Sequence, residues 1–254
     1  MNVATNQARV AFGSTCWSVV LRVGGDSAED SRAALSALCE SYWYPIYAFV
    51  RNRGHNHHDA SDLTQGFFAF LVEQNSFRQL DPARGKFRAF LLASAKNYLS
   101  DERRKNTSLK RGGAMTRLPL EVAEFDQRYR RQFTHNCSPE DCFKRSWAEA
   151  LLSRVLQLLR KDYEKAGKLE LFTLLSEFLV AAGKTLPQAE LAAVLGISVP
   201  AVTMSLQRMR KRYVAILRQE LAQTVLGPGE VDDELRDLKA TLAATATIPG
   251  RFSG

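Results

Sequence analysis

Leu186-Pro187-Gln188-Ala189-Glu190-Leu191-Ala192-Ala193-Val194-Leu195-Gly196-Ile197-Ser198-Val199-Pro200-Ala201-Val202 reads as two helices joined by a sharp turn. Pro187 sits where a helix can start. Ala189, Leu191, Ala192 and Leu195 give a first, short helix a small packing face. Gly196 supplies the positive φ that a tight turn requires. Ile197 is expected to plug the core beneath that turn, and Ser198 to cap the second helix. The inner face of that helix is Val202, Leu206 and Met209; its outer face carries Thr203, Gln207, Arg208, Arg210, Lys211 and Arg212. A helix-turn-helix that reads duplex DNA needs this order of parts: one helix braces the backbone while the next enters the major groove. The basic tail would hold phosphates, which set affinity without reading sequence. An ordinary helical hairpin with a solvated basic face is the alternative. The caps, the turn glycine and the one-sided charge occurring together favour DNA.

The rest of the composition agrees. The chain has 254 residues, enough for one large domain or two small ones with real cores. Lys and Arg total 35 against 27 Asp and Glu, a formal net charge of +8 that favours polyanions. No apolar run approaches the ~20 residues a membrane-spanning helix needs, and the N-terminus lacks the pattern of a secretion signal. Cys16, Cys39, Cys137 and Cys142 form no CxxC pair, so they read as reduced thiols of a cytoplasmic protein rather than a zinc site. His55, His57 and His58 are too crowded on one loop to wrap a single ion, so no metal is expected. Ser14, Cys16 and Cys39 have no evident base, and no enzyme activity is expected.

Working outward, three- and four-residue apolar spacing recurs and alternating strand patterns are nearly absent, so the expected fold is all-α. Residues 1–14 read as a disordered start. Arg32 to Val50 carries an apolar stripe interrupted by Pro45, where a kink or a junction of two helices is expected; Gly54 ends it as a C-cap. Asp59 to Phe77 and Phe87 to Lys105 are the next helices, separated by the turn Asp81-Pro82-Ala83-Arg84-Gly85. Asn106 to Asn136, with Gly112-Gly113 and Pro119, reads as a flexible linker holding a short helix near Glu121 to Arg131. Ser138-Pro139-Glu140-Asp141 is a strong helix start. A further helix over Leu169 to Val180 closes near Gly183. Gly227-Pro228-Gly229 then breaks the chain before an acidic stretch, and Ala243 to Gly254 looks frayed.

Phe87 to Lys105 is a second basic element. Arg84, Lys86 and Arg88 lie at its approach, and Arg103, Arg104 and Lys105 at its end, continued by Lys110 and Arg111. Phe87, Phe90 and Tyr98 are interleaved; they could stack bases of an opened strand or simply form core. Phe87-Arg88-Ala89-Phe90-Leu91-Leu92, Ala95-Lys96-Asn97-Tyr98-Leu99 and Asp101 with Arg103-Arg104 together resemble the promoter-melting helices of extracytoplasmic-function (ECF) sigma factors. Asp59-Ala60-Ser61-Asp62-Leu63-Thr64-Gln65-Gly66-Phe67-Phe68 looks like that family's polymerase-clamp helix, and Leu191 to Arg212 like its promoter-upstream domain.

The resemblance spans about residues 15 to 222 and implies two helical domains, at 15–108 and 138–226, joined by a linker at 109–137 and followed by an acidic extension at 227–254. It implies that Asp59, Asp62 and Gln65 meet the clamp helices of core RNA polymerase. Arg84, Lys86, Arg88, Asn97, Arg103, Arg104 and Lys105 would hold the −10 element, with a base captured by the loop Asn75 to Lys86. Ser198, Ala201, Thr203, Gln207, Arg208, Arg210, Lys211 and Arg212 would read the −35 element as duplex promoter DNA. No cofactor is implied, because the polymerase does the chemistry.

Departures from the family carry their own expectations. Ser61 and Gly66 stand where glutamates are common, so the clamp-facing helix is short of acid. A phosphate on Thr64 or Ser61 would restore about −1.5 to −2 of charge, which fits the family's groups linked to a Ser/Thr protein kinase. Thr203 stands where a lysine is common. The alternative function is a helix-turn-helix regulator that acts without docking on polymerase; a nucleic-acid-modifying enzyme would need clustered carboxylates or a metal site.

Overall fold

The structure, a computed structural model, describes residues 28–73, 86–108, 122–133, 137–180, 187–222, 225 and 228–246. Among them there are nine helices and no strand: α1 (Ala28–Asn52), α2 (His57–Glu73), α3 (Phe87–Ser108), α4 (Val122–Gln132), α5 (Pro139–Lys165), α6 (Leu169–Val180), α7 (Gln188–Leu195), α8 (Val199–Ala222) and α9 (Pro228–Ala246). The all-α expectation therefore holds. The chain divides into two compact units, α1 to α4 in the first and α5 to α9 in the second. The expected disordered start, the turn at 81–85, Gly112-Gly113, Pro119, Gly183, Gly227 and the final eight residues lie outside the described residues.

In the first unit α1 runs through Pro45 as one helix, where the sequence suggested a kink or a junction. Proline removes one backbone donor. Against that loss stand Tyr42, Tyr44, Ile46, Tyr47, Ala48, Phe49 and Val50, all buried around it, each large side chain contributing roughly 1.5–3 kcal/mol. On α2, Phe67, Phe68 and Leu71 close the core, and α3 adds Phe87, Leu91, Ala95 and Leu99. Phe87 meets Tyr42 edge-on at 5.6 Å, so this aromatic belongs to the core. Tyr98 packs against Phe67 and Phe70 at 5.9 and 5.5 Å.

Gly66 explains itself in this packing. The Tyr98 hydroxyl lies where a Cβ on residue 66 would stand, so the residue that departs from the expected glutamate is the one that lets α3 approach α2. Burial pushes that hydroxyl up to about 12, so it stays protonated.

The short helix expected near 121–131 is α4, and it is docked rather than part of a free connector. Phe125 lies against Trp43, Tyr44 and Tyr47 at 4.8, 5.7 and 6.2 Å. Asp126 accepts from Arg51 Nη2 at 2.7 Å and from Arg130 Nε at 2.8 Å. The Tyr44 hydroxyl donates to Gln132, and Arg128 covers the Tyr44 ring at 3.9 Å. Eleven residues do not hold a helix alone in water; the aromatic ridge of α1 does it here. Burial works against the Asp126 charge, but the bonds and charges of Arg51 and Arg130 overcome it and hold the carboxyl below its ordinary value.

The second unit is built around α5 and α8. α5 starts as its sequence requires: Ser138 Oγ accepts from the Asp141 amide at 3.1 Å and donates to the Asp141 carboxylate at 2.7 Å, with Pro139 in the first turn. Leu151, Val155 and Leu159 of α5 are buried with Val202, Leu206, Met209, Ile216, Leu217 and Leu221 of α8. Arg154 Nε donates to Glu220 at 2.5 Å across them. α9, the acidic extension, packs on both α5 and α8. Val231 and Leu238 are buried, and Arg218 pairs with Asp232 at 2.8 Å. The helix continues through Ala243 to Ala246, where fraying was expected.

The Gly66–Tyr98 contact has a sign-changing test. Gly66→Ala should lower stability by up to about 2 kcal/mol, since overpacking outweighs the ~1 kcal/mol gained in helix propensity. In a Tyr98→Phe background the nearest remaining atom is 3.4 Å away, and the same substitution should become neutral or stabilising. Urea denaturation of the four proteins checks this; an equal loss in both backgrounds contradicts it.

Candidate nucleic-acid interface

α7 and α8 meet at 97° across a three-residue turn. Gly196 sits at φ 63°, ψ 29°, the left-handed conformation that closes α7. Its amide and that of Ile197 return to the carbonyls of Ala193 and Ala192 at 3.3 and 3.0 Å. Ser198 Oγ accepts from the Ala201 amide at 3.4 Å, and its carbonyl accepts from Val202. Ser198 is therefore the cap the sequence suggested, with its hydroxyl spent on the helix. Ile197 is a correction. It is 38% exposed rather than plugged into the core, which here rests on Leu191 and Ala192 below and Val202 above. A two-way turn this tight swings residue 197 outward, beside exposed Val194 and Val199.

The buried stripe Val202, Leu206, Met209, Ile216 and Leu217 fixes which way α8 faces. At 100° per residue the opposite side carries Pro200, Met204, Gln207, Arg208 and Lys211, all exposed. Arg210 is exposed on the flank, while Ala201 is half-buried. Several candidates have partners within the unit. Thr203 donates to Gln188 at 3.0 Å, so its hydroxyl ties α8 to α7. Arg212 pairs with Asp162 of α5 at 2.6 Å. Arg208 Nε reaches back to the Met204 carbonyl at 3.3 Å.

In the first unit, α3 presents Asn97, Arg103, Arg104 and Lys105 to solvent, with Lys86 and Arg88 half-buried at its start. Arg84 and the loop 75–85 lie outside the described residues. The terminal cations are interleaved with acid: Arg104 meets Asp101 at 3.4 Å and Lys105 meets Glu102 at 2.9 Å. Such exposed pairs are weak, of order 0–1 kcal/mol, and yield to a polyanion. Phe87 is in the core and cannot stack bases; Tyr98 is half-buried with its hydroxyl turned to Gly66, and Phe90 is half-buried, 6.2 Å from Phe87.

On α2, Asp59 and Asp62 are exposed and Gln65 half-buried, three residues apart on one side. Asp59 also serves the helix start: its amide donates to Asn56 Oδ1 at 2.9 Å and its carboxylate accepts from Asn56 Nδ2 at 2.7 Å. Thr64 is a correction. It is fully buried and donates to the Ala60 carbonyl at 2.6 Å, which takes it out of a kinase's reach while α2 is folded. Ser61 is half-buried. His57 faces the Tyr47 hydroxyl at 2.8 Å through Nδ1. Burial, first of several causes, lowers its affinity for a proton. No group of three potential metal ligands occurs among the described residues, and no single described helix is long and apolar enough to cross a membrane.

Sequence reasoning passed over Met204 and Pro200 because it selected polar side chains. The three- and four-residue spacing from Val202, Leu206 and Met209 already placed both opposite the core. The Arg51–Asp126 pair carried no sequence signal, since its members are 75 residues apart.

The described residues are helical apart from turns, with cationic side chains exposed on α3 in the first unit and on α8 in the second. The ECF sigma factor profile matches residues 33–219, well over half of the chain, and the protein belongs to that family. Its role is that of an RNA polymerase sigma factor in transcription initiation, with core polymerase and promoter DNA as partners. No curated protein and no solved structure matches the chain significantly. α9 lies wholly beyond the matched segment.

The Arg212–Asp162 pair can be tested on any duplex, because phosphate contacts are independent of sequence. Asp162→Asn should free the guanidinium, raise affinity at low salt a few-fold, and steepen the slope of log K against log salt by about one. An unchanged slope means that Arg212 does not reach phosphate.

Proposed function

We propose that the chain directs promoter-specific initiation by gripping core polymerase through α2, opened DNA through α3, and the upstream promoter duplex through α8. The outward side of α8, cationic from Arg208 onward while its inner side is buried, carries this reading. That geometry supports major-groove reading by the second helix of a bihelical unit. In this reading Gln207, Arg208, Arg210 and Lys211 are the upstream contacts, with Arg212 released from Asp162 on binding. Ala201 lines their edge, and Ser198 and Thr203 brace the turn. Asn97, Arg103, Arg104 and Lys105 hold the opened strand, with Lys86, Arg88 and Arg84 at the approach. Asp59, Asp62 and Gln65 face the basic clamp helices of the polymerase's largest subunit. The protein works beside polymerase and chromosome, in the cytoplasm.

The acid-poor face of α2 supports regulation by a Ser/Thr protein kinase. Ser61 is the acceptor in this reading: a phosphate there adds about −1.5 to −2 of charge beside Asp62. Thr64 would need the helix to open first.

Run-off transcription with core polymerase, with and without the chain, tests the proposal on genomic fragments. Discrete chain-dependent transcripts are expected, lost when Asp59 and Asp62 are both replaced by Lys. Transcripts absent in every case, with no stable association with core polymerase, would contradict it and leave a regulator that binds duplex DNA alone.

A further inference from the structure

Met204 is an odd residue for its place. It is 51% exposed, at the middle of the side of α8 that faces away from the core. Its neighbours on that side are Pro200 one turn before, Gln207 and Arg208 one turn after, and Lys211 beyond. A solvated helix face has no use for a thioether there, and a polar residue would serve solubility better. Some of the hydrophilic groups around it are engaged within the unit. The single Thr203 hydroxyl proton is shared between Gln188 Oε1 at 3.0 Å and the Val199 carbonyl at 3.2 Å. Arg208 Nε is bonded to the carbonyl of Met204 itself. Ser198 is bonded to the Ala201 amide. As far as Gln207, α8 therefore offers a groove floor two kinds of outward group: the apolar pair Pro200 and Met204, and the amide of Gln207.

The major groove exposes one apolar feature, the C5-methyl of thymine, and one edge that suits an amide bidentately, adenine N6/N7. We infer that Met204 reads a thymine methyl in the upstream promoter element, next to a base pair whose adenine is held by Gln207. A flexible, polarizable side chain can follow the methyl without a rigid fit. Where the cationic residues further along α8 meet phosphate they bring the helix to the duplex without reading sequence, and where they meet a base edge they select guanine rather than an A·T pair. Met204 and Gln207 thus set the preference for A·T pairs at the positions they meet. This inference rests on α8 being the duplex reader.

The experiment uses the full chain with core polymerase. Duplexes are first selected from a pool randomised upstream of the start site. Each thymine of the recovered upstream motif is then replaced singly by deoxyuridine, which removes the methyl and keeps every hydrogen-bonding group. At one position wild type should lose about fourfold in affinity, the worth of one buried methyl. Met204→Ala should bind that thymine duplex about as weakly as wild type binds the deoxyuridine one, and should no longer distinguish the two. Met204→Leu should retain the discrimination. A motif in which no deoxyuridine weakens wild type, or one whose penalty persists in Met204→Ala, overturns the role of Met204 while leaving duplex reading by α8 intact. A pool that yields no upstream motif overturns duplex reading itself, and Met204 with it.

Discussion

α8 has to satisfy two environments with one rotation. Its stripe of Val202, Leu206, Met209, Ile216, Leu217 and Leu221 is buried against the second unit's core, and a helix buried on one side has no freedom to turn the other. At roughly 1.5–3 kcal/mol for each large apolar side chain, rotating α8 by even one residue would cost more than any surface contact could return. That constraint aims Pro200, Met204, Gln207, Arg208 and Lys211 at solvent. The Arg154–Glu220 pair and the Thr203–Gln188 bond fix its position along α5 and against α7. α9 adds Val231 and Leu238 to the same core, lying beyond the family's matched segment. The appended helix stiffens the platform from behind.

The first unit solves a different problem with the same means. Its helices are held by rings rather than by aliphatic stripes: Tyr42 on Phe87, Tyr98 on Phe67 and Phe70, and Phe125 on the ridge of α1. Rings are large, and closeness then depends on small residues at the crossing points, as Gly66 shows beneath Tyr98. Asp126 binds α4 to this ridge through Arg51, an ion pair mostly removed from water. Removing one partner of such a pair strands the other, which costs far more than the pair contributes.

Local chemistry was legible in the sequence where a residue type has one use. Gly196 at a left-handed turn, Ser138 with Pro139 and Asp141 at a helix start, and Ser198 at the start of α8 all stand where the sequence placed them. So does the all-α architecture. Long-range packing was not legible. Pro45 reads as a breaker until the surrounding rings are seen to bury it. Ile197 reads as core until the turn is seen to swing it outward. Thr64 reads as a phosphate acceptor, yet its position on α2 faces the core, and its hydroxyl donates to the Ala60 carbonyl. Arg212 and Thr203 read as DNA contacts because a sequence does not show Asp162 and Gln188 arriving from other helices. Met204 was hidden by a preference for polar side chains, although the spacing of its buried neighbours located it.

The outward aim of α8 can be measured without knowing its preferred sequence. A photoreactive benzoylphenylalanine at residue 204, in the full chain bound to core polymerase and a transcribed promoter fragment, should crosslink to the upstream duplex on illumination. The same group at Arg236, exposed on α9, should not. Crosslinking from residue 236 but not from 204 would mean that a different surface meets the DNA, and that the buried stripe of α8 does not aim a reader.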